Sequence, residues 1–419
     1  MRARNALLPW AAFVLVHAVI IVLCLFGPGE PLGDVDIVYR HWATTAASGG
    51  PVPGIDVPFV YPVVALVPML AALAIAAFLG GPAAYALGWL LLVSLVNAAA
   101  FGLLLGGRSP TRRRRAAAWW WLAFLLLQGP TALARIDAIA VALAIVGLLA
   151  LSRHPAWGSV LMTLAAWVKV WPAAVVAAVV IAGRQRMRVA VAAAGTALLV
   201  VAVALALGSG WTVLSFVTEQ TGRGIQIEAP VALPWLWQAA LGAHTGRTIY
   251  YDHDILTFQV AGAGTGLVGA LMTPLLAVVV AVILALGWRA RRRGASVDVL
   301  LPPLVLALTV ALIAVNKVGS PQFITWLAAP AVLGIVLSGR RWLLPAVLVL
   351  ALAALTQVVY PYLYDWLLVA NPAMVFVLTV RNALEFVVLG VALARLWTAA
   401  RQHGSLDSAR GPSLTATKE

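Results

Sequence analysis

The chain has 419 residues, 63% of them in the hydrophobic set and only 10% charged, with a formal net charge of +14. A soluble domain carries roughly 25% charged residues, so the composition excludes an ordinary soluble protein and points to helices crossing a bilayer. The basic residues sit in short clusters between apolar runs, the pattern that orients membrane helices, and this excludes nucleic acid as a partner.

Residues 7–27 are predicted as an uncleaved first span, because the apolar run exceeds the roughly 7–15 residues of a signal peptide core and no small-x-small site follows. Its Cys24 is the only cysteine, so no internal disulfide or cysteine-based metal cluster can form. Residues 28–61 read as a polar external loop that carries Asp34, Asp36 and Asp56 among the aromatic residues Tyr39, Trp42, Phe59 and Tyr61.

The remaining topology follows from the basic clusters: Arg2/Arg4, Arg108 with Arg112 to Arg115, Arg153, Arg184/Arg186/Arg188, Arg289 with Arg291 to Arg293, Arg340/Arg341, and Arg395 onward. If all are cytoplasmic, an even number of crossings separates each from the next. Under that rule 62–80 is an interfacial or re-entrant helix, followed by spans at 83–106, 116–131 and 136–152. Residues 156–183, with basic flanks on both sides, divide into two short helices meeting at Lys169-Val170-Trp171-Pro172. A span at 188–208 leads to a long external loop, 209–262, and spans follow at 266–288, 299–315, 322–338, 342–360 and 373–398. The expected fold is all-α, a polytopic membrane protein of about twelve spans with both termini cytoplasmic. Residues 1–401 form the membrane domain, and 402–419 read as a disordered tail.

With this orientation only Asp298, Asp407 and Glu419 of the acidic residues lie inside, and the others gather at the outer face. Asp34 and Asp36 are candidate general bases, since a half-buried carboxylate can take a proton from an incoming hydroxyl. Lys169, between two apolar helices, must snorkel or be paired, and an ionisable group there is a functional candidate. Arg135 and Asp137 lie at an outer turn, where they pair with each other or serve the site.

Farther along, Arg223 stands between two glycines and precedes Gln226 and Glu228, presenting a planar fork suited to phosphate or sugar hydroxyls. Asn316, Lys317, Ser320 and Gln322 place two amides, an ammonium and a hydroxyl in one short turn, a set for a polar ligand or for a helix cap. Arg381, Asn382 and Glu385 share a face of the last span and are expected to pair with one another. Asp252-His253-Asp254 is too sparse in ligands for a metal site, and no metal is expected. No phosphate loop, dinucleotide fingerprint or serine triad stands out.

Taken in order, Gly33-Asp34-Val35 to Tyr39 and Trp42, Val60-Tyr61-Pro62, Lys169 to Pro172, Arg223-Gly224-Ile225-Gln226-Ile227-Glu228 and Asn316-Lys317 to Ser320-Pro321-Gln322 resemble glycosyltransferase family 87. These are bacterial polyprenyl-phosphate-mannose-dependent mannosyltransferases of the GT-C superfamily. The resemblance implies an essential aspartate in the first external loop, matched best by Asp34 with Asp36 open, and a proline-bearing interfacial helix after it. Where the family often has Tyr-Pro-Pro, this chain has Tyr61-Pro62-Val63.

The expected function is inverting transfer of a hexose, mannose by the resemblance, from a polyprenyl phosphate to a lipid or glycan hydroxyl outside a bacterial plasma membrane. Lys169, Arg223 and Lys317 would hold the leaving phosphate, with Tyr61, Glu228, Asn316, Gln322, Arg135 and Asp137 as further binding candidates. No cofactor is required, and partners are the donor lipid, the acceptor and membrane lipids. The alternative is a lipid-linked sugar flippase or secondary transporter, which would place its polar groups near the midplane and show internal repeats.

Overall fold

The computed structural model describes residues 4–107, 110–243 and 248–402. The chain is helical from end to end. Helix α1 (Arg4–Phe26) leads to a π-helical turn over Asp34–Tyr39 that continues as α2 (Arg40–Ala47). A 3₁₀ turn then opens α3 (Leu66–Leu79), followed by α4 (Ala84–Leu105), α5 (Arg112–Gln128) and α6 (Asp137–Ala150). Next come α7 (Pro155–Val168), α8 (Pro172–Ala182), α9 (Arg186–Ala206), α10 (Ser215–Thr221) and α11 (Leu233–Ala240). After a hairpin of β1 (Ile249–Asp252) and β2 (Thr257–Val260), the chain ends in α12 (Thr265–Arg292), α13 (Val297–Ala314), α14 (Ala328–Ser338), α15 (Leu343–Gln357), α16 (Tyr364–Leu368) and α17 (Pro372–Gln402).

Seven helical segments among the described residues are long and apolar enough to cross a membrane. Helix α13 is the centre of the bundle, buried almost continuously from Leu300 to Ala314. In contrast, α9 and α12 leave most of their apolar side chains exposed, as helices facing lipid do.

The basic clusters gather at one end of this bundle. Arg114 donates to the Leu103 and Leu104 carbonyls at the end of α4, both at 3.0 Å, and Arg113 donates to the Leu337 carbonyl at the end of α14 at 2.6 Å. Each arginine satisfies carbonyls that a helix C-terminus leaves without intrahelical partners. From there α5 runs through 17 residues, about 25 Å at the rise of an α-helix. Gln128 therefore stands at the opposite end, where its amide donates to the Pro321 carbonyl at 3.0 Å.

Several expected boundaries recur: α7 stops at Val168 and α8 restarts at Pro172, which leaves Lys169 in the break. Others need correction. The stretch 28–61 is not an open loop, because Asp34–Ala47 is helical. Likewise 209–262 folds into short helices and a hairpin, so the fold is not purely α. Composition hid both elements, since polar residues on short amphipathic segments read as loop. Residues 403–419 of the expected tail lie outside the described residues.

Candidate active site

The π-helical turn decides how the two aspartates point. Residues two apart on a helix lie on different sides, whereas Asp34 and Tyr39, five apart, face the same way in the wider π turn. Asp34 meets Arg135, with Nε 3.1 Å from its carboxylate, while Asp36 turns toward Arg40 and Tyr85. Burial pushes the Asp36 carboxyl above its ordinary value, and Arg40 pulls it partly back.

Arg135 is the pivot of this end. One Nη donates to the Pro31 carbonyl at 2.6 Å and the Ala134 carbonyl at 2.8 Å, and the other donates to the Tyr360 hydroxyl at 2.7 Å. Burial by itself would lower its pKa, but Asp34, Tyr360 and Tyr39 overcome that, and the guanidinium holds its proton more tightly than usual. The Tyr39 hydroxyl is 3.3 Å from the Ile136 amide, tying the π turn to the turn before α6.

Two residues on, Asp137 opens α6, where a carboxylate favours the helix dipole. Its Oδ1 accepts from the Trp326 indole at 2.6 Å, and its Oδ2 lies 3.7 Å from the Lys169 ammonium. Arg135 and Asp137 therefore pair with Asp34 and Lys169, not with each other. Adjacent residues at a helix start point apart, so the expected mutual pair was sterically the poorer choice. Lys169 also lies over the rings of Tyr61, 4.5 Å from the centroid, and Phe323, 5.6 Å away. Trp171, Trp326 and Phe323 stack around it at 5.7 and 4.3 Å between rings. The aromatic wall fixes a flexible side chain at the mouth of a helix break.

The two later motifs lie against each other. The Gln226 amide donates to the Lys317 carbonyl at 2.9 Å, and Gly319 backs so closely onto Glu228 and Ala229 that a Cβ there would collide with their backbone. Glycine is required at that close approach. Lys317 is buried, and burial pushes its ammonium below the ordinary lysine value. Arg223 lies close enough to Tyr61, Glu219 and Asp252 to feel their charges, while burial lowers its pKa.

Other candidates turn out to be structural. Asn316 spends its amide on the Leu312 carbonyl at 3.2 Å and accepts from the Val318 amide at 3.0 Å, capping α13. Glu228 is buried against Arg381 at 2.8 Å, and Arg381 also lies 3.8 Å from Glu385. The expected face on the last helix is thus real, but its main partner comes from the Arg223–Glu228 segment. Gln322 is buried beside Phe323. Asp252 accepts from the Asp254 and Ile255 amides and from the Gln259 side chain, so it braces the hairpin turn. Among the described residues no three side chains are placed to hold a metal ion.

Sequence reasoning missed Tyr360 and Trp326. Tyr360 sits in a stretch that reads as the end of a span, and Trp326 resembles any apolar core residue. The only signal was position, since Trp326 follows the Ser320-Pro321-Gln322 turn by one helical turn.

Three buried polar atoms at this end have no hydrogen bond among the described residues: Arg135 Nε, Asp137 Oδ2 and Arg223 Nε. The first two have an opposite charge nearby but not an aligned hydrogen bond. Buried polar groups are nearly always satisfied, so a concentration of unsatisfied donors and acceptors marks a place that holds a polar ligand. Compared with protein-family profiles, curated proteins and solved structures, the chain matches none.

Proposed function

We propose that the protein is a membrane glycosyltransferase that moves a hexose, mannose in the first instance, from a polyprenyl phosphate to a lipid or glycan hydroxyl. The carrying observation is the meeting of Asp34–Arg135 and Asp137–Lys169, with their unsatisfied buried atoms, at the bundle end opposite the arginine clusters. The orientation rule puts that end outside the cell. In this topology the chain crosses about twelve times, α3 lies in the outer interface, and the short α7 and α8 make two crossings that meet at Lys169.

The acceptor oxygen attacks the anomeric carbon as the bond to the phosphate oxygen breaks, with inversion. Asp34 takes the hydroxyl proton, and the leaving polyprenyl phosphate keeps the electron pair of the broken bond. Arg135 aims the Asp34 carboxylate. Lys169, Lys317 and Arg223 stabilise the charge that grows on the phosphate, an electrostatic role suited to a site shielded by aromatic side chains. Asp36, aimed elsewhere, has no part in the proton transfer.

The short motifs shared with glycosyltransferase family 87 support the same reading. A flippase would need a polar path through the bundle, yet α13 at its centre is apolar and buried throughout. The test is transfer by purified protein in detergent from a polyprenyl-phosphate mannose donor. Product there supports the enzyme, whereas lipid movement in vesicles without product supports a transporter.

A further inference from the structure

Beside the charged site, an open cavity of about 590 Å³ lies between the β1–β2 hairpin and the turn after α16. It is lined by Tyr250, Tyr251, His253 and Phe258 on the hairpin side and by Leu368 and Val369 opposite. We propose that this cavity is the subsite for the glycan portion of the acceptor, and that the acceptor is an oligosaccharide, not a simple lipid alcohol. The inference rests on the glycosyltransferase reading and specifies its second substrate.

The lining carries the chemistry. Flat aromatic faces accept the C–H faces of pyranose rings, while phenol and imidazole groups exchange hydrogen bonds with sugar hydroxyls. A volume of about 590 Å³ falls inside the roughly 300–1,000 Å³ of small-molecule sites and has room for more than one sugar ring. The wall is braced before any ligand arrives. Tyr251 packs edge-on to His253 and tilted on Phe258, both at 4.9 Å between centroids. Behind them the Tyr250 hydroxyl donates to Gln259 at 3.3 Å, and Gln259 donates to Asp252 at 2.8 Å. A preorganised surface loses little entropy when it binds. This gives Asp252-His253-Asp254 a role: the first aspartate holds the hairpin, and the histidine faces the cavity.

The cavity is joined to the reacting end by one chain of contacts. Phe258 packs on Tyr364 at 6.0 Å, and Tyr364 on Tyr360 at 5.1 Å. The Tyr360 hydroxyl accepts from Arg135, which holds Asp34. The Asp34 charge also reaches Tyr251, raising its phenol further after burial has done so. A glycan seated in the cavity thus extends its terminal hydroxyl toward the base.

The experiment is saturation-transfer NMR with linear mannotetraose on the full-length protein in detergent, beside Tyr251→Ala and Val369→Trp. The first variant removes a stacking ring, and the second narrows the cavity from the other wall without touching the hairpin. Mannotetraose is expected to bind the wild type and to bind each variant at least about tenfold more weakly, with mannose alone binding poorly throughout. Equal binding by all three proteins, or none by the wild type, overturns the subsite. Should binding depend on both residues while no donor yields product, the subsite stands and the transferase reading falls.

Discussion

Arg135 holds Asp34 at 3.1 Å with Nε while its two Nη groups are committed to backbone carbonyls and to Tyr360. The arginine therefore cannot swing away when Asp34 engages a hydroxyl. A single buried side chain fixes the first helical turn after α1, the start of α6 and the end of α15 relative to one another.

The first prediction concerns which carboxylate reacts. Asp34→Asn keeps the size but cannot take a proton, and transfer should fall by at least about 100-fold, the usual contribution of a general base. Asp36→Asn, on the other side of the turn, should change the rate less than about threefold. Both are measured as initial rates with matched amounts of folded protein. The reverse ranking would hand the proton transfer to Asp36.

The second prediction is about stability. Arg135→Met leaves the Pro31 and Ala134 carbonyls and the Tyr360 hydroxyl without their donor. Breaking one side of such a buried arrangement costs on the order of 3 kcal/mol, less whatever the partly exposed Asp34 recovers from water. The thermal midpoint in detergent should drop by several degrees, and Arg135→Lys should recover only part, because a lysine cannot serve three directions at once.

Much of this was legible in the sequence. Composition gives the membrane class, and the charge clusters locate α4 to α6, α9 and α12 to α17 within a few residues. The break at Lys169 is legible because proline cannot continue a helix and basic flanks demand an even crossing. What could not be read is partner choice. Asp137 and Lys169 meet across α6 and α8, and Glu228 meets Arg381 across most of the second half of the chain. No local spacing encodes those distances. The π turn was also hidden, since nothing in Asp34-Val35-Asp36 distinguishes it from loop.

The third prediction separates a strut from a site. Glu228 and Arg381 are both almost wholly buried. Glu228→Ala strands the guanidinium, at a cost of about 3–5 kcal/mol, so expression and thermal midpoint should fall together. Glu228→Gln, which can still accept a hydrogen bond, should restore most of the folded yield and the turnover of whatever folds. A stable Glu228→Gln protein with no turnover would instead place Glu228 among the reacting groups.

The fourth prediction comes from Lys317, whose pKa burial lowers. The folded protein holds that proton less tightly than the unfolded chain does. Its cost to folding is therefore full below the depressed pKa and fades as pH rises toward the ordinary lysine value of about 10.4. Anion binding runs the other way: the ammonium attracts a phosphate only while protonated, so affinity is greatest below the depressed pKa and is lost as pH rises through it. Farnesyl phosphate binding, followed by tryptophan fluorescence between neutral pH and the alkaline limit of stability, should weaken at lower pH than an ordinary lysine would dictate. Lys317→Arg keeps its charge throughout and should carry the loss to higher pH, whereas Lys317→Met should bind weakly with no such fall. Identical pH profiles in the three proteins would remove Lys317 from the phosphate site and leave Lys169 and Arg223 to hold the leaving group.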